Sequence, residues 1–393
     1  MPREPLFVLG LYAFLALVVI LVATWAHLRF WSRRLLLPLT YASEEELTTE
    51  DGSAIALRRV PIPEGAPREP LPPVLLVHGI AANHRNQDVH PDYSLARYLA
   101  ALGRDVWLLT LRSGMHHRSR AQRARVRFEA MVRYDLPLAV RHVLDKTGEP
   151  ALDYVGFSMG GMLLYCAVGR SLAEASLRRV VIVGSPAVVG VSRWLAPLVR
   201  RLPRALVPTL PLRLIARAIA FASEWFRTPL HSIIYNPVNV SPGVTRAALV
   251  NAIEDVPATL GADFVGWAGN GGAVEAFGES AICRLPKLRI PALFVAGTAD
   301  RIAPIPAVRA AFDAWGAEDP SLPKRFVVVG RDFGHHDNYG HGDLVLGAHV
   351  GVDLFEPIAR FLGPEAQAEA PSAEVGPAAR EEIKQRAAVV EGT

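Results

Sequence analysis

Cysteine is nearly missing: Cys166 and Cys283 are the only two in 393 residues. Two thiols build no disulfide framework, and their scarcity agrees with a reducing compartment. No H-E-x-x-H run and no Cys/His spacing suited to zinc occurs, so neither a metal nor another cofactor is expected. No internal repeat recurs. The net charge of +4 comes from arginine. No recognition motif or interleaved base-stacking aromatics accompany it, so nucleic acid is not the expected partner. Anionic lipid headgroups suit such a surface better.

Charge itself is missing from Leu6 to Ala26, "LFVLGLYAFLALVVILVATWA". As a helix this stretch is about 32 Å long, enough to cross the hydrocarbon core of a bilayer. A cleaved signal peptide is the rival reading, but the run is long and no small-x-small site precedes "HLRFWSRR". The expectation is a single-pass anchor over residues 1–34. Arg29, Arg33 and Arg34 follow the run, against Arg3 and Glu4 before it. The positive-inside rule then leaves the body of the protein in the cytoplasm. At the other end, residues 364–393 hold no aromatic residue and little to bury, and they read as a disordered tail.

Between the ends, at 35–363, short apolar runs alternate with helical patterns. "ELTTEDGSAIALRRV" is a hairpin around Asp51-Gly52. "PVLLVHG", "DVWLLTL", "LDYVGF", "RVVIVG", "PALFVAG" and "KRFVVVG" read as buried strands, and "RFEAMVRYDLPLAVRHVLDKTG" reads as helix. Continuous Val/Ile/Leu runs in this alternation predict a mostly parallel sheet covered by helices on both faces. Sites in such folds lie past the C-terminal ends of strands. The rhythm breaks over about 186–290, where helical patterns run without a clear strand, as in a helical cap inserted over the sheet.

Serine in "YVGFSMGG" stands between a strand and a helix. G-x-S-x-G in that setting is a nucleophile elbow, with Ser158 exposed on a sharp turn and Gly156 and Gly160 relieving close backbone contacts. A serine hydroxyl needs a base, and the base needs an orienting carboxylate. In chain order these are Asp300, past "PALFVAG", and a histidine past "KRFVVVG". "GRDFGHHDNYGHGDLVLG" offers three, His335, His336 and His341. A metal site from His335, Asp337 and His341 lacks supporting spacing. Two backbone donors must stabilise a tetrahedral oxyanion. The amide of Met159 is one candidate; that of Ile80, with Ala81 as its neighbour, is the other. His78 reads as a residue shaping that loop.

The elbow and its surroundings resemble the acid lipase group of the α/β-hydrolase superfamily, which includes gastric and lysosomal lipases. "DVWLLTLRSG" is similar to that group's strand-plus-arginine segment. "YDLPLAVRHVLDKTGEPALDYVGFSMGG" follows its helix, strand and elbow, and "YGHGDLVLG" its terminal His-x-Asp motif. The likeness runs from about Pro73 to Leu362, outside the insertion. It implies an α/β-hydrolase fold, Ser158, Asp300 and His341 as the triad, and Ile80 and Met159 as the oxyanion hole. His335, in "DFGHH", resembles the generic Gly-His ending of many α/β hydrolases and is the runner-up base. The loop "IAANHRN" and the basic "LRSGMHHRSR" depart from the group, so substrate identity is not carried over.

The expected function is hydrolysis of carboxylic esters with apolar acyl chains through an acyl-enzyme. Acyl transfer by the same triad, or a non-catalytic module that holds lipid, are the alternatives. Ser192 to Arg227 mixes bulky apolar residues with seven arginines and one glutamate. It fits a basic cap lying on a membrane, or a cap packed on its own domain with its arginines solvated. The run Arg112 to Arg133 also has seven arginines and reads as a solvated face.

Overall fold

The computed structural model describes residues 4–67, 70–116, 119–190, 206–223, 231–241 and 243–364, with Pro203 and Trp225. The tail from 365 onward and much of Ser192–Arg227 lie outside the described residues. The strands are β1 (Ser43–Thr48), β2 (Ala54–Arg59), β3 (Val74–Val77), β4 (Val106–Thr110), β5 (Leu152–Phe157) and β6 (Leu177–Val183). After them come β7 (Glu275–Ala276), β8 (Glu279–Ser280), β9 (Ala292–Gly297) and β10 (Lys324–Val329). All but β7 and β8 form one sheet, in the order β1-β2-β4-β3-β5-β6-β9-β10. Only β1 with β2 and β2 with β4 pair antiparallel in it. The pair β1–β2 turns at Asp51-Gly52, where Gly52 has φ 74°.

Side chains alternate across a strand, so each central strand feeds both faces. Leu75 and Val77 enter one buried cluster with Trp107, Leu109 and Tyr154. Val74 and Leu76 enter the other with Val106, Leu108 and Val155. Helix α2 (Leu95–Ala101) covers the second face. The first face is covered by α3 (Leu136–Thr147) and α4 (Met159–Ala167). Gly148 closes α3 in the left-handed conformation, as the sequence suggests.

The helical stretch before α3 is not one regular helix. Residues Met131–Asp135 take a wider π turn, and Asp135 there is fully buried against Arg112, at 2.7 Å. Arg112 also reaches Asp51 at 2.5 Å. The basic run is therefore not a uniformly solvated face. Its first arginine is buried because two carboxylates compensate its charge; Arg120, Arg123 and Arg127 do lie exposed.

The insertion between β6 and β9 contains α5 (Leu212–Ile219), α6 (Val244–Asn251) and α7 (Ala258–Gly269). The β7–β8 hairpin is the one strand pair there among the described residues, too short to give a sequence signal. Helix Glu4–Arg34 precedes the sheet, and its apolar stretch is unburied. Its end is not free. His27 Nε2 lies 3.1 Å from the Ala218 carbonyl. The Trp31 and Phe221 rings stack at 5.6 Å. Just past it, the Asn251 side chain bonds Leu35 O and Leu37 N, at 3.1 and 3.2 Å.

Candidate active site

Ser158 follows β5 directly and caps α4, with φ 52° and ψ −118°. A side-chain-bearing residue with positive φ is strained and persists only where its surroundings fix it. Here the surroundings are the two flanking glycines. A Cβ on Gly156 would lie 2.6 Å from the Gly161 amide, and one on Gly160 would overlap the Val77 carbonyl.

His341 connects the other two residues. Its Nε2 is 2.9 Å from Ser158 Oγ, and its Nδ1 is 2.7 Å from Asp300 Oδ2. The second carboxylate oxygen of Asp300 accepts from the Ile302 and Ala303 amides, at 2.9 and 2.7 Å. A carboxylate only accepts, so Nδ1 donates to it and Nε2 is left to accept from the serine hydroxyl. All three groups are buried. The Phe157 ring packs 4.9 Å from the imidazole. Beneath the pair lies Gly184, with φ 56°, where a Cβ would stand 3.4 Å from both Asp300 Oδ2 and His341 Cε1.

Met159 is the first residue of α4, so its N–H has no partner within the helix. Gly79 packs against Ser158: a Cβ on it would be 3.0 Å from Ser158 Cβ. That contact brings Ile80 to the edge of the site. Among the described residues neither the Ile80 nor the Met159 amide is paired with a backbone acceptor. Ala81, with φ 57°, turns the loop away. His78 is buried behind it: Nδ1 donates to Gly79 O at 2.7 Å and Nε2 accepts from the Leu111 amide at 3.1 Å. Burial pushes this imidazole down to about 4.

The remaining histidines of the loop stand apart from the serine. His335 Nδ1 lies 3.2 Å from the Gly330 carbonyl. His336 is half-exposed but partnered: its Nδ1 meets Asp353 at 2.7 Å, and its ring stacks on His349 at 4.8 Å. Asp337 is 2.7 Å from His349 Nδ1, not beside His341. Among the described residues no cluster suited to a metal ion occurs. A cavity of about 560 Å³ beside Phe128, Tyr134, Trp267 and Phe277 includes no triad residue in its lining.

Sequence reasoning missed Asn236, Asn239 and Glu254, the insertion residues that tie the cap to the site, and placed Asp343 only as part of the His-x-Asp motif. Asp343 is buried and accepts from the Asn236 amide at 2.8 Å, the Gly340 amide at 3.0 Å and Asn239 Nδ2 at 2.6 Å. Burial raises its carboxyl above the usual range. The Gly342 amide donates to Ile234 O at 2.7 Å. On the oxyanion side, Glu254 N donates to Ala81 O at 2.9 Å, and Asn83 Nδ2 meets the Glu254 carboxylate at 2.8 Å. Insertion and sheet thus hold both the histidine loop and the loop of Ile80 and Ala81. Each bond from the insertion joins residues over a hundred positions apart, beyond any local pattern.

The sheet order, with the sharp turn at Ser158 after β5, is that of the α/β-hydrolase fold. The family described as alpha/beta hydrolase fold matches residues 72–230. The chain is also similar to curated lipases. It is 31% identical over 155 residues to Lipase member K of Homo sapiens, covering 37% of this chain and 39% of that one. It is 30% identical over 183 residues to the lysosomal acid lipase/cholesteryl ester hydrolase of Homo sapiens, covering 43% and 46%. With gastric triacylglycerol lipase of Mus musculus it shares 32% over 148 residues, covering 34% and 37%. The chain spans less than half the length of these curated relatives. An esterase from Exiguobacterium antarcticum has the same fold, with TM-score 0.52 and 14% identity over 81% of this chain and 98% of that one.

Proposed function

We propose that this protein is a serine hydrolase that cleaves carboxylic esters with apolar acyl chains. The observation that carries the reading is the hydrogen-bonded line Asp300–His341–Ser158, at 2.7 and 2.9 Å. Ser158 Oγ attacks the ester carbonyl carbon and passes its proton to His341 Nε2. The imidazolium is stabilised by Asp300. The oxyanion accepts from the Ile80 and Met159 amides. As the intermediate collapses, His341 returns the proton to the departing alcohol, leaving the acyl group on Ser158. Water, deprotonated by His341, then releases the acid and restores the serine. The names of the curated relatives, lipases and a cholesteryl ester hydrolase, support an apolar ester as substrate.

The organisation that suits this reading is an anchor at 1–34, a hydrolase domain at 35–363 with its cap over about 186–290, and a tail at 364–393. The contacts of His27 and Trp31 with the cap favour a retained helix over a cleaved leader. With Arg29, Arg33 and Arg34 after the span, the catalytic domain faces the cytoplasm. A fluorophosphonate should label the native protein at Ser158 and leave Ser158→Ala unlabelled. A folded protein labelled elsewhere, or nowhere, would remove the mechanism. A chain-length series of esters would then set acyl preference. For topology, a reporter active only outside the cytoplasm, fused after Thr393, should be silent.

A further inference from the structure

Large apolar side chains are unevenly exposed on this protein. Outside helix Glu4–Arg34, exposed large apolar residues of the described chain number nine between Leu206 and Val238 and five elsewhere. On α5, Ala216 and Ala220 one turn later are buried against the domain, while Leu214, Ile215 and Ile219 are exposed. A water-facing helix of a soluble domain carries polar residues there. Apolar exposure concentrated in one segment in this way marks an interaction surface.

What covers it is indicated by the N-terminal helix. Its uncharged stretch ends at Ala26, and His27 and Trp31, the residues just past that end, are the ones that touch Ala218 and Phe221. A segment packed at that level lies where hydrocarbon gives way to headgroups. Arg29, Arg33 and Arg34 are exposed at the same level, where lipid phosphates would pair with them. The apolar face of the cap therefore continues from a helix long and apolar enough to span a bilayer.

From these contacts we infer that the cap is a second membrane contact. The face of Leu214, Ile215, Ile219, Ile233, Ile234 and Val238 is seated in the interface of the bilayer that the N-terminal helix crosses. It thereby presents Ser158 to esters dissolved in that bilayer rather than in water. The inference rests on the hydrolase and anchor readings above. It also assigns the cap a way to act on the site. Ile234, exposed in the same insertion, is the residue whose carbonyl holds the Gly342 amide at 2.7 Å, next to His341. Asn236 and Asn239 hold Asp343 from the same segment. Seating the segment in lipid fixes the loop that carries the base.

The test uses the full chain reconstituted in phosphatidylcholine vesicles containing phosphatidylglycerol. An environment-sensitive fluorophore is placed at Ile215→Cys in a Cys283→Ala background, since Cys283 is exposed and Cys166 buried. Leu102→Cys, past α2 at the other end of the sheet, is the reference. The Ile215 probe should shift to the blue and be quenched by bromine-labelled lipid, while the Leu102 probe stays water-like. A water-like Ile215 probe would overturn the inference. So would a blue shift without lipid quenching, which would mean that protein, such as a second copy, covers the face.

The second arm compares a long-chain ester dissolved in the vesicles with a water-soluble short ester. In Leu214→Ser/Ile219→Ser the ratio of the two rates should fall about tenfold, the loss expected when buried apolar area of this order is removed. An unchanged ratio would overturn the inference. If the unsubstituted chain cleaves neither ester, the hydrolase reading fails, while the fluorescence arm still judges the membrane contact.

Discussion

Asp153 and Asp300 are both carboxylates buried at a strand end, one at the start of β5 and the other just past β9. Asp153 is met by two guanidiniums, Arg104 at 2.5 Å and Arg178 Nε at 2.8 Å. Those arginines also hold the last helical carbonyl among the described residues, at Leu362. Both of its oxygens are occupied by groups that stay charged. Among the described residues Asp300 has no guanidinium partner. One oxygen is fixed by two backbone amides, and the other holds an imidazole whose far nitrogen meets Ser158. The first arrangement closes the N-terminal end of the sheet. The second holds a group that can take up and return a proton. Burial is shared by both, so burial alone marks no function; what distinguishes Asp300 is the titratable partner that it aims.

The largest effects should fall on that aimed line. His341→Ala and Ser158→Ala should each lower turnover by about 10⁴-fold, with little change in melting temperature. Asp300→Asn should lose about 10³- to 10⁴-fold, because an amide can present N–H to Nδ1 and stabilise the wrong tautomer. His335→Ala, whose side chain meets only its own turn at Gly330, should keep turnover within about twofold. Steady-state kinetics on one soluble ester would rank all four. Loss in His335→Ala with activity kept in His341→Ala would reverse the assignment.

The elements that were legible in the sequence have local causes. Period-two burial and apolar runs announce the strands, and the flanking glycines of Ser158 announce a turn too tight for a Cβ. Chain order then points to Asp300. The choice between His335 and His341 is not local. Both follow the same strand, six residues apart, and only the resemblance through "YGHGDLVLG" favours the later one. Asp343 is marked only by that same motif, and nothing local marks Asn236 or Gly184. Their parts depend on contacts between the cap, the histidine loop and the sheet. Arg112 is marked only by the resemblance through "DVWLLTLRSG"; locally it is the first of a run of arginines in which Arg120, Arg123, Arg125, Arg127 and Arg133 lie exposed.

The structural carboxylate gives the next prediction. Asp153→Ala leaves Arg104 and Arg178 without their shared partner, Arg104 being nearly as buried as the aspartate. An unpaired buried charge costs about 3–5 kcal/mol. Urea unfolding should show a loss of that size, while kcat of the folded fraction stays within about twofold, because the site lies at the far end of the strands. A loss of kcat without a loss of stability would erase the contrast between the two ends.

The smallest effect concerns acid, and it again separates the ends. At the N-terminal end the pairing uses guanidiniums, which do not titrate below neutrality. At the site end, His78 uses both ring nitrogens with one proton, donating to Gly79 O and accepting from Leu111 N. A second proton would fall on Nε2, facing the Leu111 N–H. Burial accordingly pushes its value from 6.5 down to about 4. An unfolded chain takes up that proton near 6.5, and the folded chain does not. The contribution of neutral His78 is therefore fully present above 6.5 and is lost as pH falls toward 4. The slope reaches about 1.4 kcal/mol per pH unit within that window. Urea unfolding at a series of pH values should show it. His78→Asn keeps a donor and an acceptor but cannot titrate, so its stability should decline less steeply over the same window. Parallel curves for the two proteins would mean that the imidazole is not held neutral. Since this turn leads into Ile80, acid should loosen the oxyanion loop before it reaches the arginine-paired end.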